Sequence, residues 1–156
     1  MKKLETTLCF LKKEGQILLA LKKRGFGAGK YNGVGGKIQP NETPESAMIR
    51  ETKEEISVLP TTFQKAGIIE FDEYYKENNE HIMMHIYLVS EWEGNPHESE
   101  EMQPKWFETS KLPYSKMLPD DKYWLPLVLE GKKINAYFKF DEQWNLLSKK
   151  IKTMEE

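Results

Sequence analysis

Apolar residues come in short runs separated by polar turns. Leu8-Cys9-Phe10-Leu11 closes a first run over residues 4–11, Glu14-Gly15 interrupts it, and Ile17-Leu18-Leu19-Ala20-Leu21 dominates a second over residues 16–22. Runs of this length around a glycine turn predict two strands in a hairpin. Farther on, Pro60 is expected to break the chain. Residues 65–75 and 82–92 then predict a second pair of strands around the polar turn Lys76-Glu77-Asn78-Asn79-Glu80. A short strand carrying Trp106-Phe107 and a last strand over residues 134–140 follow, and residues 143–156 read as a partly amphipathic tail that frays.

Two stretches predict helices. Thr43, Pro44 and Glu45 supply an N-cap, a proline at the first helical position and an acid in the first turn, so one helix starts there and runs to about Ile56. At roughly 100° per residue, Met48, Ile49, Thr52 and Ile56 share a side that packs inward. Glu51, Glu54 and Glu55 fall together on the neighbouring arc. The second helix opens after Met117-Leu118-Pro119, with Asp120 as its expected cap.

The acidic arc has two readings. A solvated face explains a glutamate-rich helix in general. Yet Glu51 and Glu55, one turn apart, repel by roughly 0.2–0.5 kcal/mol, and only Arg50 and Lys53 offset them nearby. A site for a hard divalent cation uses that repulsion, because Mg²⁺ takes oxygen ligands. Just upstream, residues 25–36 hold six glycines, and residues 22–36 hold the cations Lys22, Lys23, Arg24 and Lys30. Such a loop is either merely flexible or lets backbone amides and positive charge approach a polyphosphate.

Composition narrows the choice. At 156 residues the chain forms one domain with a proper core. Its 23 basic residues are balanced by 25 acidic ones, for a net charge of −2, which argues against a general binder of nucleic-acid polymers. A phosphorylated ligand therefore needs local cations or a metal. The single cysteine, Cys9, reads as a buried core thiol; without a partner it forms no internal disulfide, in keeping with a reducing cytoplasm. No apolar run approaches the ~20 residues a bilayer span needs, and the start of the chain lacks a hydrophobic export segment. His81 and His85 on the second hairpin read as structural, without neighbouring metal ligands. Asp120 and Asp121, beside several aromatics, could also read a base edge if one of them holds a proton.

Gly36, five residues, Glu42, seven residues and then Arg50-Glu51-Thr52-Lys53-Glu54-Glu55-Ile56-Ser57-Val58 resembles the Nudix box, G-x(5)-E-x(7)-R-E-U-x-E-E-x-G-U, over residues 36–58. Gly36, Glu42, Arg50, Glu51, Glu54 and Glu55 all stand in register. Thr52 replaces an aliphatic residue and Ser57 replaces the terminal glycine. Outside the box, the run over residues 22–33, Glu101-Met102, Trp106-Phe107, Pro119-Asp120-Asp121, Tyr123-Trp124 and residues 131–140 look like the MutT homologue branch of the Nudix superfamily.

That resemblance implies an α+β protein with the Nudix fold, an α/β/α sandwich around a mixed central sheet. It implies Mg²⁺, with Mn²⁺ as an alternative, held by Glu51, Glu54, Glu55, Glu101 and the Gly36 carbonyl. Arg50 would orient the glutamates, Glu42 would support the helix and loop, and Lys22 would face the phosphates. Thr7, Asn32, Asp120 and Asp121 would line a base pocket. Leu118 stands there where the family usually carries a stacking tryptophan. The implied activity is hydrolysis of oxidised purine nucleoside triphosphates such as 8-oxo-dGTP to the monophosphate and pyrophosphate, by a cytoplasmic monomer without nucleic-acid or membrane partners. Competing readings are a Nudix hydrolase of another nucleoside diphosphate derivative and a non-catalytic nucleotide sensor.

Overall fold

The computed structural model describes residues 2–25, 27–75 and 78–154. Strands β1 (Lys2–Lys13), β2 (Gln16–Lys22) and β3 (Tyr31–Asn32) precede helix α1 (Pro44–Ile56). Strands β4 (Leu59–Tyr75), β5 (Asn78–Glu93) and β6 (Met102–Glu108) lead to helix α2 (Asp121–Leu129), and β7 (Lys133–Phe140) and β8 (Leu146–Met154) close the chain. The sheet order is β3-β2-β1-β5-β4-β7-β8, with β6 paired along β2. It is mixed, as expected: β1 runs parallel to β5 and β4 parallel to β7, while the other pairings are antiparallel.

One helix covers each face. In β1, Leu8 and Phe10 point into a cluster that contains Trp124, Leu125 and Val128 of α2. Cys9 and Leu11 point the other way, into a cluster with Met48 and Ile56 of α1. Because both faces are covered, Thr7 to Leu11 is a continuous buried run rather than an alternating one. Cys9 is a core thiol, 1% exposed, and burial pushes it up to about 12.

Helix α1 follows its local rules. Thr43 accepts from the Ser46 amide at 3.1 Å, and the Ser46 hydroxyl accepts from the Thr43 amide at 3.0 Å, a reciprocal cap. Met48 and Ile56 are fully buried, each stabilising the fold by roughly 1.5–3 kcal/mol. Thr52, also fully buried, donates to the Met48 carbonyl at 2.7 Å and lies 3.1 Å from Cys9 Sγ, so its hydroxyl is satisfied inside the core. Ser57 ends the helix in the left-handed conformation that glycine takes more freely, at φ 62° and ψ 32°.

Four expectations need correcting. Pro60 does not break the chain but lies within β4, opposite Trp92. There β4 extends beyond its pairing with β7, which covers only residues 67–72, and its register against β5 shifts between Pro60 and Thr62, the edge and bulge positions at which a sheet tolerates proline. The strand over 134–140 is not the last, and the described part of the tail, rather than fraying, forms β8 antiparallel to β7. Its Lys149, Lys150 and Lys152 suit an edge strand that must not recruit another chain. Residues 78–80, assigned to a turn, are already paired in β5. The rest of that turn, Lys76 and Glu77, lies outside the described residues, as do Met1, Phe26 and the last two residues of the tail. Asp120 occupies the cap position of α2, but its side chain does not cap. Its Oδ2 accepts instead from Trp124 Nε1 at 2.7 Å. No helix among the described residues is long and apolar enough to cross a membrane.

Candidate active site

The glycine-rich loop lies flat against β1. Thr7 donates its amide to the Gly36 carbonyl at 2.9 Å, and Cys9 and Val34 exchange backbone bonds at 2.7 and 2.9 Å. A Cβ on Gly35 would stand 1.9 Å from the Thr7 carbonyl oxygen, so only glycine permits this approach. The loop thereby packs against the acidic arc of α1, where a Cβ on Gly36 would meet the Glu51 carboxyl carbon at 2.6 Å.

Arg50 organises that arc. Its guanidinium grips Glu42 through two parallel bonds of 2.7 and 2.9 Å, reaches Glu51 at 2.9 Å and Glu54 at 3.2 Å, and donates to the Lys37 carbonyl at 3.1 Å. This planar fork holds Glu42 below the usual carboxylate range and ties loop to helix. Glu54 projects outward, 59% exposed, and Glu51 is mostly covered. Glu55 is buried at 8% exposure, its Oε2 without a partner. Burial, and then the charge of Glu51, push it up to about 8, against the pull of the Gly35 amide.

The loop before β6 folds back to this end. The Lys23 amide donates to the Glu101 carbonyl at 2.8 Å, and the Glu101 charge is felt at Glu55. The Glu101 side chain is half exposed and lies 3.5 Å from Arg24. Among the described residues no three acidic, histidine or cysteine side chains converge into a preformed metal cage. The available donors are nevertheless carboxylate oxygens, with the Glu55 Oε2 orphan buried among them and the Gly36 carbonyl keeping a second lone pair beyond its Thr7 bond. That set fits a hard cation. His81 and His85 are engaged elsewhere: His81 binds Asp72 and Glu70 at 2.7 and 3.2 Å, and His85 binds Lys65 and Glu5 at 2.7 and 3.3 Å.

Two cavities meet at Asn32 and Leu118, and the first reaches the arc through Gly36, which abuts Glu51. The first, about 190 Å³, carries Thr7, Lys22, Lys30, Gly35 and Gly36 on its walls. The second, about 170 Å³, is largely apolar, with Glu73, Asp120 and Asp121 among its lining. The structure thus brings Thr7, Lys22, Asn32, Leu118, Asp120 and Asp121 to one continuous cleft. Asn32 Oδ1 accepts from the Gly33 amide at 2.8 Å, a bond that orients its side chain. Burial raises Asp120, tempered by its bond from Trp124. Asp121 is raised further, by burial and then by the charge of Asp120.

Sequence reasoning missed Glu73 and Trp144 on these walls, while Lys30, named among the cations of the glycine-rich loop, lines the first. Glu73 had a signal: two residues from Phe71 in a strand, it must share that residue's face. Burial, and then the charges of Glu80 and Asp120, push it up to about 7. A carboxyl raised above its ordinary 4.5 binds its proton more tightly when folded, so stability falls as pH rises from about 4.5 to about 7 and levels off above. Glu73→Gln should remove that fall. We expect thermal melts to coincide with those of the parent near pH 4.5 and to lie above them at pH 8 by about 1–2 kcal/mol, solvent screening of this half-buried group allowed for. Equal stability of the two proteins at pH 8 would contradict it.

The NUDIX domain profile matches residues 1–128. The chain belongs to the Nudix family. It is 42% identical over 150 residues to an oxidized purine nucleoside triphosphate hydrolase of Danio rerio, covering 96% of this chain and 95% of that protein. The protein of the same name from Mus musculus is 40% identical over 149 residues, covering 96% and 94%. An 8-oxo-dGTP diphosphatase of Escherichia coli is 32% identical over 108 residues, covering 68% and 81%. A MutT protein crystal structure from Bacillus halodurans superposes with a TM-score of 0.84 at 22% identity, covering 95% of this chain and 97% of that one. The Nudix fold is therefore shared along nearly the whole chain.

Proposed function

We propose that this Nudix hydrolase cleaves purine nucleoside triphosphates, oxidised ones such as 8-oxo-dGTP in particular, to the nucleoside monophosphate and pyrophosphate. One observation carries the reading. The buried side-chain oxygens left without a partner among the described residues are Thr7 Oγ1, Glu55 Oε2, Asp120 Oδ1 and Asp121 Oδ2. Thr7 lines the first cavity and the aspartates the second, while Glu55 abuts Gly35 on the wall of the first. Buried orphans are costly in a folded protein, and their gathering along one cleft argues for a ligand that satisfies them.

Glu51, Glu54, Glu55, Glu101 and the Gly36 carbonyl would hold Mg²⁺, with Mn²⁺ as an alternative. Once bound, the ion supplies charge neutralisation at the phosphates and an activated water. Lys22 and Lys30 face the phosphates from the first cavity. Arg50 fixes the glutamates, and a carboxylate of this set accepts the proton of the attacking water. Thr7, Asn32, Asp120 and Asp121 read the base; an aspartic acid that keeps its proton donates as well as accepts, which suits a base edge carrying both carbonyl and amine. The names of the two vertebrate relatives support oxidised purines as the substrate class. A cytoplasmic monomer acting on free nucleotides is the setting this reading implies.

The test is a kinetic panel of 8-oxo-dGTP, 2-hydroxy-dATP, dGTP, dATP, a dinucleoside polyphosphate and a nucleotide sugar, with Mg²⁺ and with chelator, and with products identified. Monophosphate and pyrophosphate from an oxidised purine triphosphate, formed only with the metal, is the expected result. Preferred turnover of the dinucleotide or the sugar, or release of orthophosphate, would overturn the reading.

A further inference from the structure

We propose that Trp144, in the turn between β7 and β8, is a base-binding residue whose indole forms an aromatic wall of the second cavity, which Asp120, Asp121 and Glu73 also line. The inference rests on the proposed function in taking the occupant to be a purine nucleotide. Lys22 and Lys30 on the first cavity assign the phosphates there, so the base falls to the second, where Asp120, Asp121 and Glu73 can meet its edge. A purine is also flat and binds best against a flat partner. Leu118 gives that cavity an apolar but not a planar surface. Phe71 lines it too, yet is only 8% exposed, its ring stacked on Phe138 at 5.9 Å and on Phe140 at 6.2 Å. Trp144 continues this aromatic column, 4.8 Å from Phe140 at an interplanar angle of 37°, and is its half-buried end at the cavity.

The backbone is arranged to present that ring. Trp144 has φ +64°, a left-handed conformation that is strained for a bulky residue and that glycine or asparagine would occupy more readily. Strain of this kind persists where the surroundings over-determine it. Here Asp141 does so: its Oδ1 accepts from the Gln143 and Asn145 amides, both at 2.9 Å, and its Oδ2 accepts from the Asn145 side chain at 3.1 Å. The Asp141 carbonyl accepts from the Trp144 amide, also at 3.1 Å. Nothing in the local sequence requires tryptophan at such a turn. Its ring, set between Phe140 and the cavity, accounts for it.

The test compares the full chain with its Trp144→Ala and Trp144→Phe variants, in Mg²⁺, on the purine triphosphate the parent turns over best. Trp144→Ala should weaken nucleotide affinity, read as KM and as competitive binding of the monophosphate product, by about 5- to 150-fold. Trp144→Phe should stay within a few-fold of the parent but show a clearly smaller nucleotide-induced change in tryptophan fluorescence, the remainder coming from Trp124, which is buried but bonded to Asp120, while Trp92 and Trp106 stack on each other at 5.9 Å in the cluster on the α1 face. Inorganic tripolyphosphate, which has no base, should inhibit all three proteins equally. Unchanged nucleotide affinity in Trp144→Ala, or parallel loss of nucleotide and tripolyphosphate binding, would overturn the proposal and leave the proposed activity standing. A parent protein that hydrolyses no purine triphosphate would overturn both.

Discussion

Glu55→Gln should lower kcat by about 10²- to 10⁴-fold while making the metal-free protein more stable. The two effects have one cause. Glu55 is 8% exposed, lies beside Glu51 and carries an oxygen without a partner, so the folded chain pushes it up to about 8. A carboxyl raised from 4.5 to about 8 costs stability over the whole interval, first by holding a proton the unfolded chain would release and, above 8, by remaining a desolvated charge. The isosteric amide escapes that cost, and the gain at pH 7 should be about 1–3 kcal/mol in melts run with chelator. Added Mg²⁺ should reverse the order, stabilising the parent more than the variant, because binding to the folded state alone raises stability in proportion to affinity. Turnover within tenfold of the parent would remove Glu55 from the proposed site. A large fall in melting temperature would make it a structural residue instead. Stability given up at a site and recovered only with ligand is the trade expected of a functional acid.

Why Glu55 was found from sequence, while Trp144 could not be and Glu73 offered only the face it shares with Phe71, follows from the range of the interactions that place them. Thr43, Pro44 and the 3.6-residue spacing of Met48, Thr52 and Ile56 act within single turns, so the box helix was legible to its ends. The first hairpin was legible for the same reason, through Glu14-Gly15. The cleft is non-local. Trp144 reaches it because β7 pairs with β4 in the register Phe71 to Phe138, and the turn to β8 then returns beside Phe140. No short stretch encodes that pairing. Strand β8 was missed because its lysines dilute the alternation that marks strands, although edge strands are where lysine is favoured. Asp120 illustrates a different ambiguity. An aspartate ahead of an apolar helix signals a cap equally well whether it bonds the backbone or, as here, an indole four residues on. Of the implied site residues, Glu101 departs most from expectation: its backbone binds Lys23 and its charge is felt at Glu55, but its side chain sits with Arg24.

Gly36→Ala should lower kcat/KM by about 100-fold with little change in fold, and it should do so through Glu51. The added Cβ would stand 2.6 Å from the Glu51 carboxyl carbon and 2.7 and 2.8 Å from its oxygens, all shorter than nonbonded carbon contacts allow. Gly36 has no left-handed backbone, so the penalty is one of space rather than conformation. Glu51 could yield if it were free at its end. It is instead only 15% exposed and bound to Arg50 at 2.9 Å, and Arg50 is fixed by both oxygens of Glu42. Moving the carboxylate therefore disturbs the group that also contacts Glu54, and a misplacement of about 1 Å in a positioned site is enough to cost about 100-fold. A double-mutant cycle separates this route from damage to the loop itself. In a Glu51→Ala background, Gly36→Ala should cost no more than about twofold further, because the two changes remove the same interaction. Multiplying losses would mean that Gly36 acts through its backbone, including the carbonyl that accepts from Thr7 and that we propose as a metal ligand.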